Sequence, residues 1–253
     1  MKVLGLNWVG TRTAAFHETV GFFHTVLELP IGVERPHFVR LDLPDAACVE
    51  VFDSAGDQYS HFTTGPVPGF LVEDFDSARG ELAGGGCELI GPEGGERGVY
   101  RWQHFRGPDG NIYEISDFPD RPASKAPFGT LQLTSLVWAG ISTPAYAACT
   151  RFLREVLGLS VVEETKDLIE CRFPDGGEVE VFRREGGMDH PHFRTGPMVG
   201  FGVSDIDLAL RGLAEKEVPL VEVRRRDWGG WAHFRAPDGC IYEVKGPPGS
   251  PFA

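Results

Sequence analysis

The sequence predicts an α+β chain made of two homologous halves, each built from two strand–helix–strand units, and three observations carry that prediction. The first is internal duplication. NWVG at 7–10 returns as VWAG at 137–140, VEVF at 49–52 as VEVF at 179–182, and HFTTGPVPGF at 61–70 as HFRTGPMVGF at 192–201. HFRGPDGNIYE at 104–114 returns as HFRAPDGCIYE at 233–243. Four blocks repeated in one order mark a duplicated domain. The second observation is that period-two strand runs are separated by segments of helical period. The third is the glycine and proline punctuation that closes each element.

The elements follow in order. Residues 3–11 read as a strand, and Thr13 is placed to cap a helix over 14–29, where Phe16, Val20, Phe23 and Leu27 share a face. Its counterpart opens with Thr143-Pro144, a cap followed by proline at the first helical position, and turns Phe152, Val156 and Leu157 inward. Strands are expected at 38–43 and 47–53, then at 69–72. Asp74 or Asp76 caps the next helix, which Gly84-Gly85-Gly86 ends. Strands at 99–105 and 111–116 complete the half, joined by the turn Gly107-Pro108-Asp109-Gly110, in which proline presets φ and glycine accepts a positive φ. Residues 1–118 form the first domain and 131–246 the second. The proline-rich stretch 119–130 is the linker, and the tail beyond Gly246 is loosely held.

With 253 residues, 42% hydrophobic and 24% charged, each half is large enough to bury a core. A formal net charge of -13 argues against nucleic acid, which needs clustered Lys and Arg; the run Arg224–Arg226 reads as a solvated strand or loop. No stretch reads as a signal peptide or a membrane span. Five cysteines without a CxxC pair argue against a disulfide framework or a zinc–thiolate site, so a cytoplasmic location is expected. GxGxxG, P-loop, GxSxG and HExxH motifs are lacking, and Gly94-Gly95 reads as a turn.

The opening WVG-type strand, VEVF, GFLVEDFDSA and RGPDGNIYE, occurring in order and twice, resemble the vicinal oxygen chelate superfamily, which includes glyoxalases, extradiol dioxygenases and bleomycin-resistance proteins. The resemblance implies paired βαβββ modules that curl into an open cup in each half. It also implies a divalent metal held by side chains from four strands of a cup. Carried onto this sequence, those positions are Trp8, Glu50, Val67 and Glu114 in the first half, and Trp138, Glu180, Met198 and Glu243 in the second. The family's His, Gln or other donor is tryptophan at the first position, and an apolar residue stands at the third. Only two carboxylates per cup remain.

Strand alternation places those carboxylates independently. Cys48, Glu50 and Phe52 share a face opposite Val49 and Val51, and Glu114 shares one with Ile112 and Ser116, opposite Tyr113 and Ile115. Two carboxylates converging in an apolar cup repel one another and resist desolvation. A cation bridging them, a proton held at neutral pH, or a basic ligand would each relieve this, as would inherited glutamates satisfied by Arg, Tyr or water. A metal held by carboxylates alone would be a hard, oxygen-preferring one. Indole nitrogen is only a donor. Trp8 and Trp138 therefore suggest a flat wall for planar or cationic ligands, a cation–π contact giving about 0.5–2 kcal/mol. Trp102 and Trp231 offer a second wall or plug the end of the barrel. His104 and His233, on the strand entering PDG, act as a base or substitute ligand if they point into the cup; alternation admits only one of His104 and Phe105. His17 and His24 belong to a helix surface, and His61 and His192 to a connecting loop. Cys240 replaces Asn111 in the turn and reads as a tolerated small residue.

The sequence reading is a metal-independent small-molecule binder of the sequestering or resistance type, with no cofactor assigned, acting as a monomer or homodimer. The alternatives are a metal-dependent lyase, isomerase or dioxygenase with an unusual ligand shell, and a metal-free enzyme using glutamate as acid and base.

Overall fold

The computed structural model describes residues 1, 3–119, 126–188, 193, 194 and 196–249. The expectations for half of the linker, for His192 and for the end of the tail fall outside these residues. The first half forms an eight-stranded sheet from β1 (Val3–Thr13), β2 (Ile31–Arg35), β3 (Phe38–Asp42), β4 (Cys48–Asp53), β5 (Val67–Val72), β6 (Glu88–Glu96), β7 (Tyr100–Arg106) and β8 (Ile112–Asp117). Their spatial order is β2-β3-β4-β1-β5-β8-β7-β6. The second half repeats this order with β9 (Leu133–Thr143), β10 (Ser160–Glu164), β11 (Leu168–Arg172), β12 (Glu178–Arg183), β13 (Met198–Val203), β14 (Leu220–Arg226), β15 (Gly229–Arg235) and β16 (Ile241–Gly246). In each sheet the antiparallel seam β1–β5, or β9–β13, joins the two units.

The strands missing from the sequence reading are the edges β2, β6, β10 and β14. Their side chains are almost entirely exposed or half-buried, so they carry no apolar alternation to read. Arg224–Arg226 belongs to the edge strand β14. Gly94 and Gly95 lie within β6 rather than in a turn, opposite Trp102 and Arg101. A Cβ on Gly94 would sit 2.1 Å from the Trp102 ring, so the glycine makes room for the indole.

The helix expected over 14–29 is shorter and interrupted. Helix α1 (Phe16–Gly21) passes into a π-helical turn at Phe22–Val26, where the Leu27 N–H donates to the Phe22 carbonyl at 3.1 Å. Both Phe22 and Phe23 are buried in that turn. The second half repeats the device after α3 (Tyr146–Arg151), at Phe152–Val156. Thr13 ends β1 rather than capping a helix; its hydroxyl accepts the Ala15 N–H. Of the two cap candidates, Asp74 opens α2 (Phe75–Gly84), accepting the Ser77 N–H at 3.0 Å, and Asp205 does the same for α4 (Ile206–Glu215). Among the described residues no helix is long and apolar enough to cross a membrane.

Each sheet separates two environments by alternation. Val49, Val51, Tyr113 and Ile115 enter the main core, while Cys48, Phe52 and Ile112 join Trp8 and Val67 in a second cluster on the opposite face. Trp138, Phe182, Met198 and Ile241 repeat that cluster in the second half. The main core is common to both halves instead of being divided between them. Phe22 lies 5.8 Å from Phe234, and reciprocally Phe152 lies 5.9 Å from Phe105. The π-helical turn after α1, and the one after α3, thus packs on the other half's sheet, and the cups face away from the shared core.

Candidate functional site

The floor of each cup is set by a tryptophan and a glycine two residues on. Trp8 and Trp138 are each 2% exposed. A Cβ at Gly10 would lie 2.2 Å from the Trp8 ring, and one at Gly140 would lie 2.0 Å from that of Trp138. Residues i and i+2 share a strand face, so only glycine lets the indole lie flat along its own strand. This explains the W-x-G spacing that recurs in both halves. Gly140→Ala is expected to displace Trp138 and cost about 1–3 kcal/mol by overpacking, read as a lower urea midpoint with shifted tryptophan emission. Unchanged stability and emission would show that the indole is free to move.

Each indole stands beside a carboxylate and favours its charged form, Trp8 at Glu50 and Trp138 at Glu180. Burial nevertheless raises Glu50 to about 7, and burial with the neighbouring Glu243 charge raises Glu180 to about 7. The second carboxylate lies deeper. Glu114 and Glu243 are each 2% exposed, and burial lifts both to about 8, against the Tyr100 hydrogen bond in one and the Lys245 charge in the other.

The question left by alternation is answered in both halves: the histidine faces the cup, while Phe105 and Phe234 enter the core. Cross-strand register sets His104 opposite Glu114 and His233 opposite Glu243. His104 Nε2 lies 3.2 Å from Glu114 Oε2, with poor hydrogen-bond geometry, and its Nδ1 lies 3.3 Å from His61 Nε2. Burial lowers His104 to about 3; His61 falls to about 4, through burial and then the facing His104. Burial thus disfavours the charged form of both groups and favours the neutral pair, carboxyl on Glu114 and imidazole on His104. In the second cup, His233 Nε2 and Glu243 Oε2 are hydrogen-bonded at 3.1 Å, and His233 Nδ1 is 3.8 Å from Glu222.

The walls are aromatic. Trp102 lies 4.8 Å from His104, and Trp231 lies 4.4 Å from His233. Trp8, Glu50, Trp102 and Glu114 line a cavity of about 360 Å³, which His104 backs. Trp138, Glu180, Trp231, His233 and Glu243 line one of about 450 Å³. All ten residues singled out from the sequence thus gather in two equivalent cups. Missed were Tyr59 and Tyr100 in the first, and Lys245, Arg224 and Arg226 in the second. Tyr100 and Lys245 stand two residues from Trp102 and Glu243, so alternation alone could have placed them.

The donor set does not fit a family-type metal. Val67 and Met198 are buried apolar residues at the third position, and an indole N–H occupies the first. Among the described residues no group of three His, Cys, Asp or Glu side chains converges to hold an ion.

Residues 135–244 match the model of the Glyoxalase/Bleomycin resistance protein/Dioxygenase superfamily. No curated protein sequence matches the chain. Among solved structures, the Mn(II)-bound glyoxalase from Novosphingobium aromaticivorans aligns with a TM-score of 0.74 at 16% identity, over 99% of this chain and 89% of that one. The 2,3-dioxygenase LapB from Pseudomonas sp. KL28 aligns with 0.72 at 18% identity, over 100% and 96%. Homoprotocatechuate 2,3-dioxygenase from Brevibacterium fuscum, in complex with 3,4-dihydroxyphenylacetate, aligns with 0.72 at 14% identity, over 96% and 80%. At these identities the likeness is one of fold.

Proposed function

We propose that this tandem protein, which has the vicinal oxygen chelate fold and a second half matching the glyoxalase/bleomycin-resistance/dioxygenase model, binds a small organic molecule in an aromatic-lined cup without a metal. One observation carries the reading. In both cups the strand position that would offer a lone pair carries a tryptophan, Trp8 or Trp138, whose indole N–H is only a donor and stands beside Glu50 or Glu180. What remains is a concave pocket with aromatic walls and convergent polar and charged groups, Glu180, Arg224, His233, Glu243 and Lys245 among them in the second cup, which suits a small polar organic molecule.

The test is the metal content of protein purified without chelator, with native mass spectrometry for a retained organic ligand. The expected result is a carried organic mass, or none, that chelator leaves unchanged. Stoichiometric manganese or iron, lost in Glu180→Gln, would overturn the reading and restore the metalloenzyme of the dioxygenase or glyoxalase kind.

A second reading has its own support. The buried His233–Glu243 pair places a proton acceptor and a proton donor side by side on the cup wall. That is the equipment of a metal-free proton-transfer enzyme such as an isomerase. Deuterium incorporation from D₂O into the retained molecule, abolished in Glu243→Gln, separates enzyme from binder.

A further inference from the structure

The duplication allows the edge strands of the two sheets to be compared, and the second sheet leaves both of its edges open. In the first sheet β6 carries two extra residues between the pairs Ile90–His104 and Gly94–Trp102, a bulge that takes in Pro92 and Gly91, the latter at φ of 69°. Bulges and prolines on an edge oppose the addition of another strand. The counterpart β14 runs on from Glu222 without a break, pairing Glu222–Arg226 residue for residue with Gly229–His233. β14 and the opposite edge β10 each keep a single-residue shift, at Val221 and Val162, but neither contains proline. Their apolar side chains are uncovered, Val223 at 42% exposure and Val162 at 48%. An edge strand leaves a row of backbone N–H and C=O groups unpaired, so both are sites for strand addition.

The two edges carry opposite charge. β14 ends in Arg224-Arg225-Arg226 and β10 in Glu163-Glu164. Part of this is neutralised within the chain, where Arg224 pairs with Glu222, Arg225 with Asp207 and Glu164 with Arg154. Arg226 donates to the Arg225 carbonyl, and neither it nor Glu163 has an ion-pair partner among the described residues. Glu163 stands opposite Glu170, whose neighbours Ile169 and Cys171 enter the core, so it lies on the cup face of the sheet. Arg226 lines the cup. The two unpaired charges therefore share a face. Strand direction completes the match: β10 runs with β9 and β14 runs against it. A second copy that continues the sheet thus sets its β10 antiparallel to β14, with cup faces on the same side. Like edges repel, because β14 against β14 gathers arginines and β10 against β10 gathers glutamates. The first sheet offers no such complement, since β2 ends in Glu34-Arg35 with no net charge.

We propose that the chain associates head to tail with further copies of itself, β14 of one copy pairing with β10 of the next to continue the second sheet. Glu163 of the next copy then stands beside Arg224 and Arg226 on the cup face. Each copy presents one basic and one acidic edge, so the contact is heterologous and copies add in succession. The arginine run, which looks like a solvated segment in the sequence, is in this assembly both the attraction for one edge and the guard against the other.

Analytical ultracentrifugation of the intact chain over a concentration series tests this. At low ionic strength the weight-average mass should climb with concentration, and added salt should weaken the association by screening the exposed charges. Arg226→Glu and Glu163→Arg should each weaken it about tenfold or more, because each sets like charges against one another. An equimolar mixture of the two variants should associate again, as should the double variant, since both restore opposite charges across the contact. Both positions are exposed, and circular dichroism checks that the variants keep the fold; the salt response of the unaltered chain stands as evidence without them. A chain that stays monomeric at every concentration, or an assembly indifferent to salt and to both substitutions, would overturn the proposal. So would a response to Arg226→Glu without one to Glu163→Arg, which points to β14 pairing with something other than β10, or variants that stay apart on mixing.

Discussion

Phe23→Ala is expected to lower the stability of the whole chain by about 3–5 kcal/mol, the cost of emptying a well-packed aromatic site. The Phe23 ring is fully buried, 5.4 Å edge-on from Tyr242 and 6.3 Å from Phe201, so it belongs to the first half by sequence and to the second by packing. Phe22 reaches Phe234 in the same way, and Phe152 returns the contact to Phe105. The duplicated halves are therefore energetically one unit, and the intact chain should unfold in urea as a single cooperative transition. Circular dichroism and tryptophan emission should trace the same curve, shifted to lower urea in the variant. Two separated transitions, or a loss below about 1 kcal/mol, would show that the halves stand alone.

That shared core marks the boundary of what the sequence discloses. The repeat of VEVF and of HFR-PDG–IYE located the central strands β4, β7 and β8 and their counterparts, because buried strands must alternate. The same rule put Glu50 and Glu114 on the cup face and Val49, Val51 and Ile115 in the core. What it could not supply was any relation between distant segments. The edge strands β2 and β14 are too exposed to carry a pattern, and the π-helical turn at Phe22–Val26 is visible only through the contacts that both phenylalanines make on the other sheet. His104 was undecided for a related reason. HF is a polar–apolar pair in which either side chain can be buried, and burial of Phe105 under Tyr113 decided it, at a ring separation of 5.6 Å. Tyr100 was legible by alternation from Trp102, two residues on along β7, but its contact with Glu114 across the hairpin was not.

Glu114→Gln should make the protein more stable at alkaline pH while changing little in mild acid, and the sign follows from where the proton sits. Glu114 is raised from 4.5 to about 8 and His104 lowered from 6.5 to about 3, both chiefly by burial. Below 4.5 the glutamate is protonated folded or unfolded, so its contribution is fully present; as pH rises toward about 8 the unfolded state releases the proton first, and that contribution is lost. The histidine runs the other way: its contribution is present above 6.5 and is lost as pH falls toward about 3. Between 4.5 and 6.5 the two cancel, because each state then holds one proton on the pair, on Glu114 when folded and on His104 when unfolded. The decline belongs to the window from 6.5 to about 8, with Glu50 and Glu180 adding theirs between 4.5 and about 7. Glutamine keeps an oxygen for Tyr100 and has no proton to lose. The variant's gain over the parent, on the order of 2–5 kcal/mol, should therefore appear at about pH 9 and shrink toward zero at about pH 5. Urea denaturation of both proteins at the two pH values measures it directly. An equal offset at both would mean that Glu114 is ionised in the folded cup, with its proton on His104 or released to solvent. The neutral, hydrogen-bonding carboxyl that the cups are built around would then be wrong.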